Sequence, residues 1–187
     1  MCKEDYKLAL ECQIRVAYGK VVYSQTCHHK MAERLYKYNR IWKWVQIILS
    51  TITSCSIISI LFYDVFYSKI ISAVLSAVLT GINLYLKNFN LSEDAKEHEK
   101  AAHELWKVRE EYISLLTDLE QLDNSEIVEN RDKLQNSTYE IYKNAPKTDS
   151  KSYKQAQQAL KSEEEQTFSE NELDIMLPTS LRKTNLR

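Results

Sequence analysis

The sequence predicts an all-α protein, a transmembrane helical hairpin continuous with long cytoplasmic helices packed as an antiparallel coiled-coil-like bundle. Three observations predict it. Two uncharged apolar runs, Trp44 to Tyr63 and Ile70 to Leu86, lie almost back to back. Apolar residues recur at alternating steps of four and three on both sides of those runs. Two glycines (Gly19, Gly81) and two prolines (Pro146, Pro178) leave few places where a helix must stop.

The hairpin comes first. A bilayer's hydrocarbon core is about 30 Å thick, and a helix rising about 1.5 Å per residue crosses it in roughly 20 residues. The first run is long enough as it stands. The second becomes so when Val65, Phe66 and Tyr67 join it and Lys69 extends its amine to the headgroups. The connector from Asp64 to Lys69 is too short to hold a domain. A soluble core hairpin would carry strong charges on one face of each run, and neither run has any. Mean hydropathy of -0.44 and net charge -1 look soluble only because the average hides these segments.

Charge distribution predicts orientation. Lys30, Arg34, Lys37, Arg40 and Lys43 crowd the approach to the first span and Lys87 follows the second, whereas the connector offers Lys69 against Asp64. By the positive-inside bias both termini face the cytoplasm and the connector faces outward. The start (Lys3, Glu4, Asp5, Lys7) has no apolar signal-peptide core, so the hairpin is expected to act as its own insertion signal. Trp42, Trp44 and Tyr63 sit where interfacial aromatic belts sit.

Five segments follow from the pattern. Residues 1–43 form a heptad helix with a stripe through Leu10, Ile14, Ala17, Val21, His28, Met31, Leu35, Tyr38 and Trp42. Residues 44–87 are the hairpin. Residues 88–145 hold further cytoplasmic helices: Asn90 or Ser92 caps the first, with Glu93 as a capping-box partner for Asn90. Its stripe is Ala101, Leu105, Val108, Tyr112, Leu115, Leu119 and Leu122. After a turn at Asp123 and Asn124, a helix from about Ser125 to Asn144 ends before Pro146. Leu105, Val108, Tyr112, Leu115 and Leu119 are the candidate seam; burial within one chain and packing between chains explain it equally well. Residues 146–168 are polar, either a solvated helix or partly disordered. Residues 169–187 regain pattern, with Ser169 and Glu172 suited to a capping box ahead of Leu173, Ile175, Met176, Leu177 and Pro178. This amphipathic tail is expected to dock, with Leu173, Ile175, Leu177 and Pro178 as its contact residues.

No chemistry of catalysis stands out. Two isolated glycines cannot build a phosphate-binding loop, and no nucleophile–base constellation or cysteine pair at metal-ligand spacing appears. His98 and His103 are five apart, wrong for two ligands on one helix face, so surface or seam roles are expected for the histidines. The chain is read as no enzyme, with no cofactor and no metal. Balanced charge, 25 basic and 26 acidic residues, gives no sign of nucleic-acid binding.

The hairpin holds the best functional constellation. Ser72, Ser76, Thr80 and Asn83 recur on one face of the second span beside a small-residue stripe of Ala73, Ala77 and Gly81. Gln46, Ser50 and Thr53 make a similar line on the first. Close helix packing explains such residues. Alternatively, several hairpins assemble and turn one stripe toward a water-filled lumen, because two helices alone cannot enclose a path.

The chain as a whole resembles the bacterial SLATT family of two-transmembrane effectors encoded beside anti-phage conflict systems, and within it a reverse-transcriptase-associated subgroup. The resemblance lies in KYNRIWKWVQIILSTITS, in NLSEDAKEHEKAAHELWKVREEYISLLTDL, and in the closing SENELDIMLPTSLRK. It implies a membrane effector, silent until infection is sensed, that permeabilises the inner membrane as a homo-oligomer and arrests the host. Implied partners are the lipid bilayer and a reverse transcriptase or nucleotide-signalling enzyme encoded nearby. A non-conducting membrane scaffold that recruits a defence partner is the alternative.

Overall fold

The computed structural model describes residues 3–62 and 66–183, with side chains described from 4 to 58 and from 66 to 183. The Tyr63 end of the first span, the Asp64–Val65 part of the connector and the last four residues lie outside the described residues. Six helices follow in order: α1 (Lys3–Phe62), α2 (Phe66–Asn88), α3 (Leu91–Asp118), α4 (Asn124–Asn144), α5 (Ser150–Lys161) and α6 (Glu170–Met176), with a final 3-10 turn, Thr179–Leu181. No strand occurs among the described residues, so the fold is all-α.

α1 runs 60 residues without a break, roughly 90 Å at the helical rise. No proline interrupts it, and Gly19 is its one glycine. The N-terminal heptad helix and the first span are therefore one rod. α2 returns antiparallel along its far end, and α3 along its near end.

The core lies between α1 and α3. Leu10, Ile14 and Val21 from α1 meet Leu105, Val108, Tyr112, Leu115 and, just beyond α3, Leu119, all buried, and Ile127 and Leu134 of α4 close the cluster. The five predicted seam residues are thus consumed within one chain. Two stripes of matching heptad period bury each other because α2 and the short link at Phe89–Asn90 return the chain along α1. Local signals set the ends. The Asn90 side chain accepts the Glu93 amide at 3.3 Å, although the Glu93 carboxylate reaches Lys96 (3.6 Å). Asp123 starts α4 with a full capping box: its carboxylate takes the Ser125 and Glu126 amides, and Glu126 takes its own amide at 3.0 Å. Helix α4 begins at Asn124, one residue before the expected start.

The polar segment after Pro146 is helical from Ser150 to Lys161, exposed over most of its surface and buried along one narrow face. It forms α5, which packs on α1 through Ser152, Ala156 and Ala159, all buried. These three fall at steps of four and three, but their small side chains carry no apolar signal. Arg34 of α1, itself buried, fixes the helix: its guanidinium donates to Asp149 (2.5 Å), Ser152 (3.2 Å) and Gln155 (2.9 Å). Burial alone would raise the Asp149 pKa. The Ser152 hydroxyl and amide, and then Arg34, outweigh it and hold the carboxyl well below the usual carboxylate range. Beyond α5 the chain stays tied down. Glu165 pairs with Lys30 at 2.7 Å, and Gln166 bridges Thr26 (2.9 Å) and Arg109 (2.6 Å).

The far half of the molecule differs in kind. Trp44, Ile47, Ile48, Ile52, Ile57 and Ile58 of α1 and Ile70, Ile71, Val74, Val78 and Leu84 of α2 are exposed. In the apolar window of each long helix only 6% of residues are buried, with mean hydropathy of 1.4 and 1.6. Helices of a soluble core would be mostly covered. Apolar surface of this extent needs hydrocarbon around it.

Truncating Leu105 to Ala is expected to cost the bundle about 2–5 kcal/mol, whereas Trp106→Ala on the exposed side costs under about 1; thermal unfolding of the two variants checks the difference. Arg34→Met is expected to accelerate amide exchange across residues 150–161 by about tenfold or more while leaving α3 protected, as read by hydrogen exchange with mass spectrometry.

Candidate functional site

The seven polar residues of the hairpin separate into two sets. Thr53 and Ser72 are buried, and Ser72 is the buried residue of α2. Gln46 is half-buried. Ser50, Ser76, Thr80 and Asn83 are exposed. The two helices therefore close on small hydroxyl residues, while the rest of the polar row on α2 looks away from α1.

Hydrocarbon offers no partner for a hydroxyl, so each must find one inside its own helix or in a neighbour. Thr51, Thr53, Ser54 and Ser56 donate to the carbonyls four residues earlier, at 2.8–2.9 Å. Thr80 does the same toward Ser76 at 2.9 Å. These bonds make the hydroxyls tolerable in lipid. The Ser72 hydroxyl is buried without a partner. The small-residue stripe beside the polar row is also open: Ala73, Ala77 and Gly81 are exposed, and a Cβ added at Gly81 would meet nothing within 4 Å. Within one chain, then, the closest-approach surface of α2 has no helix against it.

Aromatic rings mark the membrane entry. Trp42 lies 5.8 Å from Tyr85, which stacks on Phe89 at 4.8 Å. They bind α1 and α2 together where Lys43 and Lys87 end the charged sequence, the position expected of an interfacial belt.

Below that level the seam carries a buried histidine pair. His28 Nδ1 and His98 Nδ1 are 2.9 Å apart, so one ring donates and the other accepts, with both neutral. Burial, and then the neighbouring His98, lower the His28 pKa to about 4; burial likewise lowers that of His98, against Asp94 and Asp149. The signal lay in the sequence: His28 is on the α1 stripe, and His98 is seven residues before Leu105 on the α3 stripe. Among the described residues no group of three or more His, Cys, Asp or Glu could hold a metal ion.

The tail is built but undocked. Ser169 and Glu172 form the predicted capping box. Arg182 folds back onto the Leu177 and Ile175 carbonyls (3.0 and 3.1 Å), and Lys183 pairs with Glu170 at 3.1 Å. This small closed unit leaves Leu173, Ile175, Leu177 and Pro178 exposed, together with Met176 and Leu181. A second open apolar surface lies between α1 and α4, a groove of about 550 Å³ with Val16, Tyr139 and Tyr142 exposed at its lips.

Fold and hairpin define a class: a two-span helical membrane protein with a bundle on one side of the membrane. The family is explicit. Residues 10–172 match the SMODS and SLOG-associating 2TM effector domain family 4, and the chain belongs to that family, the SLATT group. It is a membrane effector of conflict with phage. No curated protein and no solved structure matches the chain.

The histidine pair yields a pH prediction. The folded chain binds fewer protons at His28 and His98 than the unfolded chain, whose histidines titrate near 6.5. Their contribution to stability is whole above that value and is lost as pH falls toward 4. The unfolding midpoint is expected to drop across this window, and His28→Gln with His98→Gln is expected to flatten the drop, as measured by circular dichroism in detergent.

Proposed function

We propose that this chain is the killing arm of an abortive-infection system, a homo-oligomer whose hairpins permeabilise the bacterial inner membrane when triggered. One observation carries the reading: Ser76, Thr80 and Asn83 lie exposed beside an open Ala73–Ala77–Gly81 stripe on an otherwise apolar helix. Thr80 is satisfied within its own helix, but the Ser76 hydroxyl and the Asn83 amide are costly in hydrocarbon, and a neighbouring copy relieves them. Packing copies along the small residues turns Ser76 and Thr80 toward a shared axis, where their hydroxyls line a wet path. Gln46 and Ser50 on α1 supply further polar surface. Both termini face the cytoplasm, which puts the bundle, α5 and the tail on the side where infection is sensed.

The trigger reaches the chain through a partner. A reverse transcriptase or nucleotide-signalling enzyme encoded nearby fits the family, and the preformed tail, with Leu173, Ile175 and Leu177 exposed, is the natural contact for it. Binding that favours one arrangement of the bundle shifts the population toward the conducting state. A second reading rests on the same tail: a non-conducting scaffold that only recruits the partner.

Membrane potential separates the two. With its genomic neighbours under phage challenge, the wild-type chain is expected to depolarise cells carrying a voltage-sensitive dye. Ser76→Leu with Thr80→Leu is expected to abolish depolarisation at unchanged membrane abundance. A stable potential in wild-type cells supports the scaffold, for which removing residues 173–187 breaks complex formation and the Leu substitutions are harmless.

A further inference from the structure

A groove of about 450 Å³ runs along α1 where the rod enters the apolar zone, lined by Tyr36, Asn39, Arg40, Lys43, Trp44 and Ile47. It opens on the face of α1 away from the Trp42–Tyr85–Phe89 cluster. We propose that it seats the phosphodiester headgroup of an anionic phospholipid, gripped by Arg40 and Lys43 with an acyl chain descending past Ile47.

Three features of the chain support this. The first is pairing. The cations whose side chains the bundle largely covers are matched: Lys30 with Glu165, Arg34 with Asp149, Arg109 with Gln166, Arg131 with Asp132. Among the described residues Arg40 and Lys43 have neither an ion pair nor a hydrogen bond. Glu99 of α3 accepts the hydroxyl of Tyr36, one of the lining residues, at 2.8 Å. The groove is thus left with two uncommitted positive charges.

The second is depth. Lys43 is the last charge before the apolar run, so the two cations lie at the level of lipid phosphates. The third is composition along the helix. Arg40 and Lys43 are three residues apart and share a face, Trp44 brings an indole N–H donor, and Ile47, four residues beyond Lys43, is exposed as the first aliphatic side chain below. A phosphate between two cations, a ring at the glycerol level and an aliphatic wall beneath match one lipid molecule in order. Free phosphate would use the cations but not Trp44 and Ile47.

The inference rests on insertion of the hairpin, so the test starts from full-length protein recovered in the bilayer fraction of phosphatidylcholine vesicles containing a minority of phosphatidylglycerol. The protein is gently solubilised, and its retained lipids are counted by mass spectrometry. Wild type is expected to retain phosphatidylglycerol well above its share of the bilayer. Arg40→Gln with Lys43→Gln is expected to lose about fivefold or more of that excess, and Lys87→Gln on α2 none. Arg40→Lys with Lys43→Arg, which keeps the charges, is expected to retain the lipid. Equal retention by the double Gln variant overturns the site. An equal loss with Lys87→Gln overturns it in favour of diffuse attraction. Displacement by inorganic phosphate alone overturns the lipid as occupant. Wild-type protein absent from the bilayer fraction overturns both this inference and the membrane reading, whereas the other failures leave the membrane reading intact.

Discussion

The continuity of α1 is the constraint on which the other parts depend. One helix of 60 residues supplies the core stripe of the bundle, the two interfacial tryptophans and the first membrane span. Its helical hydrogen bonding is continuous, so the bundle half and the span are parts of one helix. α3 and α4 are fastened to the near half by the Leu10–Ile14–Val21 seam, and α5 by the Arg34 network. α2 is fastened to the far half by the aromatic cluster and by the packing around Thr53 and Ser72. α2, α3 and α5 are thus attached chiefly to the rod, and α4 packs on α3 as well as on α1.

Buried and open surfaces are separated along the chain. The buried contacts are concentrated where the chain must hold together in water, and the open surfaces are concentrated on α2 and the tail. The seam, Leu105 and Tyr112 included, is closed within one chain. The α2 face with Ala73, Ala77 and Gly81 and the tail with Leu173 and Ile175 are left uncovered, as the proposed assembly and recruitment require.

Much of the fold was legible in the sequence because its signals are periodic and strong. The hairpin showed as two charge-free runs, and the seam as two stripes with the same heptad spacing. The caps read at Asn90 (with Ser92 as the alternative) and Ser169, and the turn read at Asp123–Asn124, marked where α3, α6 and α4 begin. The rest was hidden for physical reasons. α5 buries Ser152, Ala156 and Ala159, whose packing value is closeness and not hydropathy, so the segment read as solvent-facing. The Arg34–Asp149 pair joins residues more than a hundred positions apart and leaves no local trace. The polar row of the hairpin was visible, but its division was not. Which hydroxyls turn inward depends on the rotation of α2 about its axis, and Ser72 and Ser76 differ by only about 40° in that rotation.

The three described cysteines offer the most direct test of the account. Cys12 is exposed in the bundle, Cys27 is buried in it, and Cys55 is exposed on the apolar face of α1. In sealed inside-out membrane vesicles, a membrane-impermeant maleimide should label Cys12 readily. Cys55 should stay unlabelled until the bilayer is dissolved, although no protein side chain covers it. Labelling of Cys55 in intact vesicles at the rate of Cys12 would mean that water, not lipid, surrounds the hairpin, and the membrane-spanning rod would be wrong.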